Sequence, residues 1–126
     1  MTLISVVDDD IWVRESLDSL IRSVGMEVRA FASAEEYLGS ANAGKADCLI
    51  LDVRLPGMSG IELHHRLLAS RYNVPVIFIT AHASDESTRS EAKSEWTVAY
   101  LSKPFSEDEL LDAVNTALKL KSGLKA

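Results

Sequence analysis

The sequence holds a single cysteine, Cys48, set inside an apolar run. With no second thiol there is neither a disulfide framework nor a cysteine metal site, and a lone thiol among aliphatic residues is first a small core residue. Long hydrophobic runs are also missing. No stretch approaches the span of a bilayer or carries the flanks of a secretion signal, so the expectation is a cytoplasmic protein with no membrane partner. Positive charge is scarce: 13 Lys and Arg against 19 Asp and Glu give a formal charge of −6. Gripping nucleic acid takes a basic face, so direct binding is not expected, and the one basic cluster, Lys119, Lys121 and Lys125, reads as a solvated helix end. Repeats, low-complexity tracts and interior linkers are absent as well. The 126 residues, 47% of them hydrophobic, make one domain with its own core.

What is there is organised around the run from Cys48 to Gly57. Four apolar residues, a carboxylate at Asp52 and a Pro56-Gly57 turn describe a strand buried on both faces that delivers an acid to the sheet's carboxyl edge, where ligands of open α/β sheets sit. Taken alone, an Asp that merely caps the next turn is the commoner reading. Yet the pattern repeats. Leu3-Ile4-Ser5-Val6-Val7 is a strand ending in Asp8-Asp9-Asp10; Val74 to Ile79 is a buried strand ending in Thr80-Ala81-His82; Val98-Ala99-Tyr100-Leu101 runs into Ser102-Lys103-Pro104. Glu27 to Phe31 alternates like a half-exposed edge strand.

Helices fill the intervals. Val13, Leu17, Leu20, Ile21 and Val24 recur at helical spacing, with Asp9 or Asp10 as N-cap and Gly25 as the stop. Ser33 with Glu36, Ser59 with Glu62 and Ser106 with Glu109 are capping boxes that open three more. In the helix after Ser59, His64 and His65 point in different directions, which disfavours a shared metal and favours surface or boundary packing. Residues 84 to 95 suggest one more helix, the fourth in chain order, but Ala92 is its only hydrophobe, so it should be marginal. Five strands alternating with five helices select a parallel sheet covered on both faces through right-handed crossovers.

If the strands carrying Asp8, Asp9, Asp52, Thr80 and Lys103 are neighbours, their polar ends converge. Two carboxylates about 4 Å apart repel by roughly 4 kcal/mol at an effective dielectric near 20, so three acids call for a cation. Oxygen ligands without His or Cys suit a hard ion such as Mg²⁺. Lys103 adds a compact positive charge and Thr80 a hydroxyl donor, both fitted to phosphoryl oxygens. Acids for metal and nucleophile, with a cation and a donor for the equatorial oxygens, are what phosphoryl transfer requires.

The motifs Val6-Val7-Asp8-Asp9-Asp10, Leu51-Asp52-Val53-Arg54-Leu55-Pro56-Gly57-Met58-Ser59-Gly60, Ile79-Thr80-Ala81 and Leu101-Ser102-Lys103-Pro104-Phe105 follow one another on successive β/α units. In that order and spacing the chain resembles a two-component response-regulator receiver domain over essentially its whole length. The Val53 to Gly60 run resembles most closely the receivers that precede LuxR-type DNA-binding domains.

The resemblance implies a flavodoxin-like (βα)5 doubly wound sheet of strand order 2-1-3-4-5, with residues 1–120 as the receiver and 121–126 as a tail or the start of a linker. It implies that Asp52 accepts a phosphoryl group from a sensor histidine kinase. Asp8, Asp9 (the direct ligand of that pair), Asp52 and the backbone carbonyl of Arg54 would hold Mg²⁺; Thr80, Ala81 and Lys103 would contact the phosphoryl oxygens; Pro104 would follow a cis peptide. Thr80 and Tyr100 would form the switch that alters the face of fourth helix, fifth strand and fifth helix for an effector domain, a partner protein or a second copy of the chain. Arg54 and His82 would tune dephosphorylation. Such a domain catalyses its own phosphorylation and dephosphorylation without being a turnover enzyme. The alternatives are an aspartyl phosphatase, disfavoured because Arg54 stands where that chemistry needs an acid; a flavin carrier, disfavoured because this chain has no Gly/Ser-rich phosphate cradle after its first strand; and a degenerate receiver serving only as an interaction module.

One departure from the family pattern concerns the fourth helix. Trp96-Thr97 replaces the usual Gly-Ala before the last strand, and a Trp adopts a left-handed turn only at a cost. The expectation is a displaced, frayed or poorly docked fourth helix with Trp96 on the output face.

Overall fold

The computed structural model describes residues 2–81 and 85–123. Strands and helices alternate as β1 (Leu3–Val7), α1 (Ile11–Ser23), β2 (Glu27–Phe31), α2 (Ala34–Leu38), β3 (Cys48–Asp52), α3 (Gly60–Ala69), β4 (Val76–Thr80), α4 (Glu86–Ala92), β5 (Thr97–Ser102) and α5 (Glu107–Gly123). The strands form one parallel sheet in the order β2-β1-β3-β4-β5, the flavodoxin-like topology expected. β1 connects outward to β2 while β3 continues the sheet on its other side, so the crevice of this fold opens between the carboxyl ends of β1 and β3.

Period-two alternation splits each central strand between two cores. Leu49, Leu51, Val76 and Phe78 face α2, α3 and α4 through Tyr37, Leu63, Leu67 and Ala92. Cys48, Ile50, Ile77 and Ile79 face α1 and α5 through Leu17, Ile21, Leu110 and Val114. Burial pushes the Cys48 thiol well up, as befits a core residue. β2 lies at the edge with Arg29 and Ala30 exposed, which accounts for its alternating sequence.

The helix starts obey local chemistry. Asp10 accepts the Trp12 N–H at 2.9 Å to cap α1, and Ser33, Ser59 and Ser106 each accept the N–H three residues on, at 3.0 to 3.1 Å. Gly25, at φ +88°, closes α1, and its N–H donates to the Arg22 carbonyl. At the far end of α5, the Lys121 ammonium reaches the Asn73 carbonyl, tying that helix to the α3–β4 loop.

α4 corrects the sequence reading in two ways. It spans seven residues, not the stretch from 84 to 95, because Asp85 caps its start and Lys93 turns extended at its end. And Trp96, expected on the output face, is buried at 6% exposure. No left-handed residue is needed there: the Trp96 N–H donates to Ser94 Oγ at 3.1 Å, and the Thr97 N–H donates to the Ser94 carbonyl. Since Ala92 is the only buried residue of α4, its amides are expected to exchange at least ~10-fold faster than those of α1, measured by hydrogen–deuterium exchange; equal protection would overturn this.

Candidate functional site

Because β1 and β3 pair with Val7 opposite Leu51, the residues that follow, Asp8 and Asp52, emerge side by side. Carboxylate oxygens of Asp8, Asp9 and Asp52 lie within 4.8 Å of one another. Asp8 is fully buried, and its Oδ1 accepts the Asp10 N–H at 2.8 Å. Arg14, which the sequence did not single out, donates to the Asp8 carbonyl at 2.7 Å and fixes that backbone from the first turn of α1. Asp9 is exposed at the mouth, and Asp10 is engaged as a helix cap.

Asp52 is 5% exposed, with Oδ1 accepting the Arg54 N–H at 3.1 Å and Oδ2 accepting from Lys103 Nζ at 2.9 Å. The same ammonium sits 2.9 Å from Asp8 Oδ2 as an ion pair, and no other donor among the described residues reaches that buried oxygen, which keeps acceptor capacity to spare. Lys103 follows β5, its backbone N–H donating to the Thr80 carbonyl at 3.0 Å, and the Lys103–Pro104 peptide is cis. Thr80 is buried at the end of β4 and Ala81 is exposed beside it. Thus Asp8, Asp9, Asp52 and Lys103 meet in one pocket, with Thr80 and Ala81 on the adjoining strand end. The Arg54 side chain is exposed, and His82 lies outside the described residues. Tyr100 belongs elsewhere, on the α4 side of the sheet, where its ring stacks on Phe78 at 5.8 Å.

Gly60 makes this assembly possible. Its N–H donates to the Val53 carbonyl at 3.0 Å, and a Cβ there would meet the Asp52 carbonyl oxygen at 2.0 Å. Only a residue without a side chain lets α3 start this close to the backbone that carries Asp52.

Burial is the larger influence on Asp52 and, with the Asp8 charge, pushes its carboxyl up, against the pull of Lys103 and the Arg54 amide. Burial alone would pull the Lys103 ammonium down, yet its bonds to Asp8 and Asp52 and their charges push it up on balance. Both shifts express one shortage: two buried carboxylates share a single ammonium. An all-oxygen donor set with an under-used buried carboxylate oxygen fits a hard divalent cation, and among the described residues no His or Cys joins it.

His64 departs from the surface or boundary position expected of it. It is 1% exposed, its Nε2 lies 2.9 Å from Ser94 Oγ, and its ring meets Phe78 edge-on at 5.4 Å. Burial, helped by His65, pulls its pKa from 6.5 down to about 4. Below pH 6.5 the unfolded chain binds a proton that the folded one refuses, so the stability contributed by neutral His64 is complete above that value and is lost as pH falls toward about 4. Asp52, its carboxyl pushed up, contributes in the opposite sense. Thermal melts are expected to show an acid-side loss of up to roughly 3 kcal/mol that His64→Leu removes.

Comparison with known proteins places these residues in context. The profile of the response regulator receiver domain matches residues 4–115. Nodulation protein W of Bradyrhizobium diazoefficiens is 48% identical over 115 residues, covering 91% of this chain and 50% of its own length. Response regulator protein TodT of Pseudomonas putida is 42% identical over 119 residues, covering 94% of this chain and 52% of its own length. Among solved structures, the FixJ-N crystal structure superposes with a TM-score of 0.82 at 33% identity, covering 94% of each chain. The response regulator StyR gives a TM-score of 0.85 at 39% identity, covering 98% of this chain and 62% of its own. The chain therefore spans about half the length of the curated relatives it matches.

Proposed function

The chain belongs to the response-regulator receiver family, and from that premise we propose that Asp52 is its phosphoacceptor, taking a phosphoryl group from the phosphohistidine of a sensor kinase. The observation that carries this reading is the Lys103 ammonium lying 2.9 Å from both Asp8 Oδ2 and Asp52 Oδ2 at the mouth of an acidic pocket. A carboxylate oxygen of Asp52 attacks phosphorus, the P–N bond to the donor imidazole breaks, and an acyl phosphate forms. Burial leaves that carboxylate poorly hydrated, and the bond from Lys103 favours its ionised form. As the phosphoryl group arrives, Lys103 turns from the carboxylate to an equatorial oxygen, while the Thr80 hydroxyl and the Ala81 amide serve the others.

Asp8, Asp9, Asp52 and the Arg54 carbonyl would hold Mg²⁺, which supplies positive charge against the phosphoryl oxygens. Arg54 and His82 set how water reaches the acyl phosphate. Signalling runs from Thr80 to Tyr100 and from there to the face of α4, β5 and α5, so that phosphorylation shifts a two-state equilibrium.

The output is an effector half or protein, or a second copy of the chain, in the cytoplasm. Support for an effector half comes from the relatives: they are about twice the length matched, and two of them are named transcriptional regulatory proteins, TdiR and FixJ. The Val53 to Gly60 run favours a LuxR-type DNA-binding partner domain, with DNA contacted by that half and not by this acidic one. No helix among the described residues is long and apolar enough to cross a membrane.

The test is incubation with acetyl phosphate, with and without Mg²⁺, followed by intact-mass measurement. One phosphoryl group added per chain, only with the metal, is the expected result. Steady turnover of many phosphate esters would favour the phosphatase, and no addition at all a pure interaction module.

A further inference from the structure

A helix leaves its last four carbonyls without intrahelical partners, and α4 has only Ala92 to bury, so how those carbonyls are met decides how it docks. The Arg89 carbonyl accepts the Tyr100 hydroxyl at 3.0 Å. The Ser90 carbonyl accepts the Lys93 N–H at 3.4 Å. The Glu91 carbonyl lies 2.9 Å from His65 Nε2, and because a carbonyl only accepts, His65 carries its proton on that nitrogen. The Ala92 carbonyl accepts the Thr97 hydroxyl at 2.6 Å. Three of the four are therefore met by side chains from α3 and β5.

His64 completes the arrangement from beneath. Thr97 spends its proton on Ala92, so Ser94 donates to Thr97 Oγ1 at 3.3 Å, and His64 Nε2–H donates to Ser94 Oγ at 2.9 Å. The other tautomer would bury an unmet N–H at Nδ1, a costlier orphan than the bare lone pair left there now. The ring of His64 also abuts Phe78, on which Tyr100 stacks. Two adjacent histidines thus grip the end of α4, one directly and one through a relay of hydroxyls, and the Tyr100 hydroxyl shares the same helix end.

We propose that the His64–His65 pair on α3 is a clamp that holds α4 in the arrangement belonging to unmodified Asp52, and that the switch works against it. This rests on the phosphoacceptor reading of Asp52. When Tyr100 turns inward it gives up the Arg89 carbonyl, and a helix with only Ala92 buried then leans on His65 at the Glu91 carbonyl and on Thr97, which His64 backs through Ser94. Loosening them lowers the cost of leaving this arrangement, so a ligand that prefers the other arrangement binds with higher apparent affinity. The pair is a positioning device and touches no reacting atom.

The test uses His65→Ala and Ser94→Ala, both away from the deep core, with beryllofluoride plus Mg²⁺ as the phosphoryl mimic. Amides of residues 89–97 are expected to exchange about 10-fold faster in each variant, and apparent beryllofluoride affinity to rise about 5-fold. His65→Gln, whose amide N–H reaches the same carbonyl, is expected to restore both values. Unchanged exchange, or faster exchange with unchanged or weaker affinity, overturns the clamp. If the wild-type chain binds no beryllofluoride, the phosphoacceptor reading falls and the proposal falls with it; if it binds and the variants bind no tighter, the clamp alone falls.

Discussion

Asp52→Asn is expected to abolish covalent phosphoryl addition while leaving the fold at least as stable as the wild type. The chemistry is lost because an amide oxygen is a far weaker nucleophile than a carboxylate, and one of the three converging acids that would hold Mg²⁺ is gone. Stability survives because Asp52 is a strained charge: burial outweighs the help of Lys103 and pushes its carboxyl up. Neutralising it ends the repulsion with Asp8 and leaves Lys103 wholly to Asp8, 2.9 Å away. Intact mass after acetyl phosphate and Mg²⁺ reads the first effect, and a thermal melt without metal reads the second. Addition persisting at another residue would remove Asp52 from its role; a large loss of stability would show that its pairing with Lys103 is structural.

Gly60→Ala carries the largest structural effect expected of a single methyl group in this chain. The new Cβ would lie 2.0 Å from the Asp52 carbonyl oxygen, 2.9 Å from its carbon and 3.1 Å from Val53 Cα. All three are backbone atoms, which cannot swing aside as a side-chain tip does, so either α3 slides or the end of β3 moves. Overpacking costs ~1–3 kcal/mol, and a contact this short against main chain belongs at the top of that range, a fall in Tm on the order of 10 °C. Movement of the β3 end would also displace Asp52, in which case phosphoryl addition slows along with the loss of stability. Gly123→Ala, where a Cβ meets nothing within 4 Å, serves as the control and should be neutral or mildly stabilising. A normal melt for Gly60→Ala would show that the start of α3 yields easily.

Much of this was legible along the chain because local chemistry and the global fold agree. Asp8, Asp52 and Lys103 each stand just where an apolar strand run gives out, and parallel strands bring such ends together. The three serine caps sit where their helices begin. His64 resisted reading because its place in α3 flanks the Leu63 and Leu67 stripe, and whether such a flank is covered depends on what the neighbouring helix leaves open. α4 left that space, since it has almost no apolar face to fill it. How α4 ends was hidden for a related reason: with no glycine to mark the stop, its carbonyls are met by side-chain donors from α3 and β5. Pairings across 26 or more residues leave no periodic trace in a sequence.

The two tryptophans, finally, make the molecule its own reporter. Trp12, 75% exposed, stands in the first turn of α1, while Trp96, 6% exposed, is buried where α4 gives way to β5. Their emission should separate into a red component quenched by dissolved acrylamide and a blue one shielded from it. Rearrangement where α4 meets β5 would perturb the blue component and leave the red one as an internal reference, so the chain reports that event without an added label.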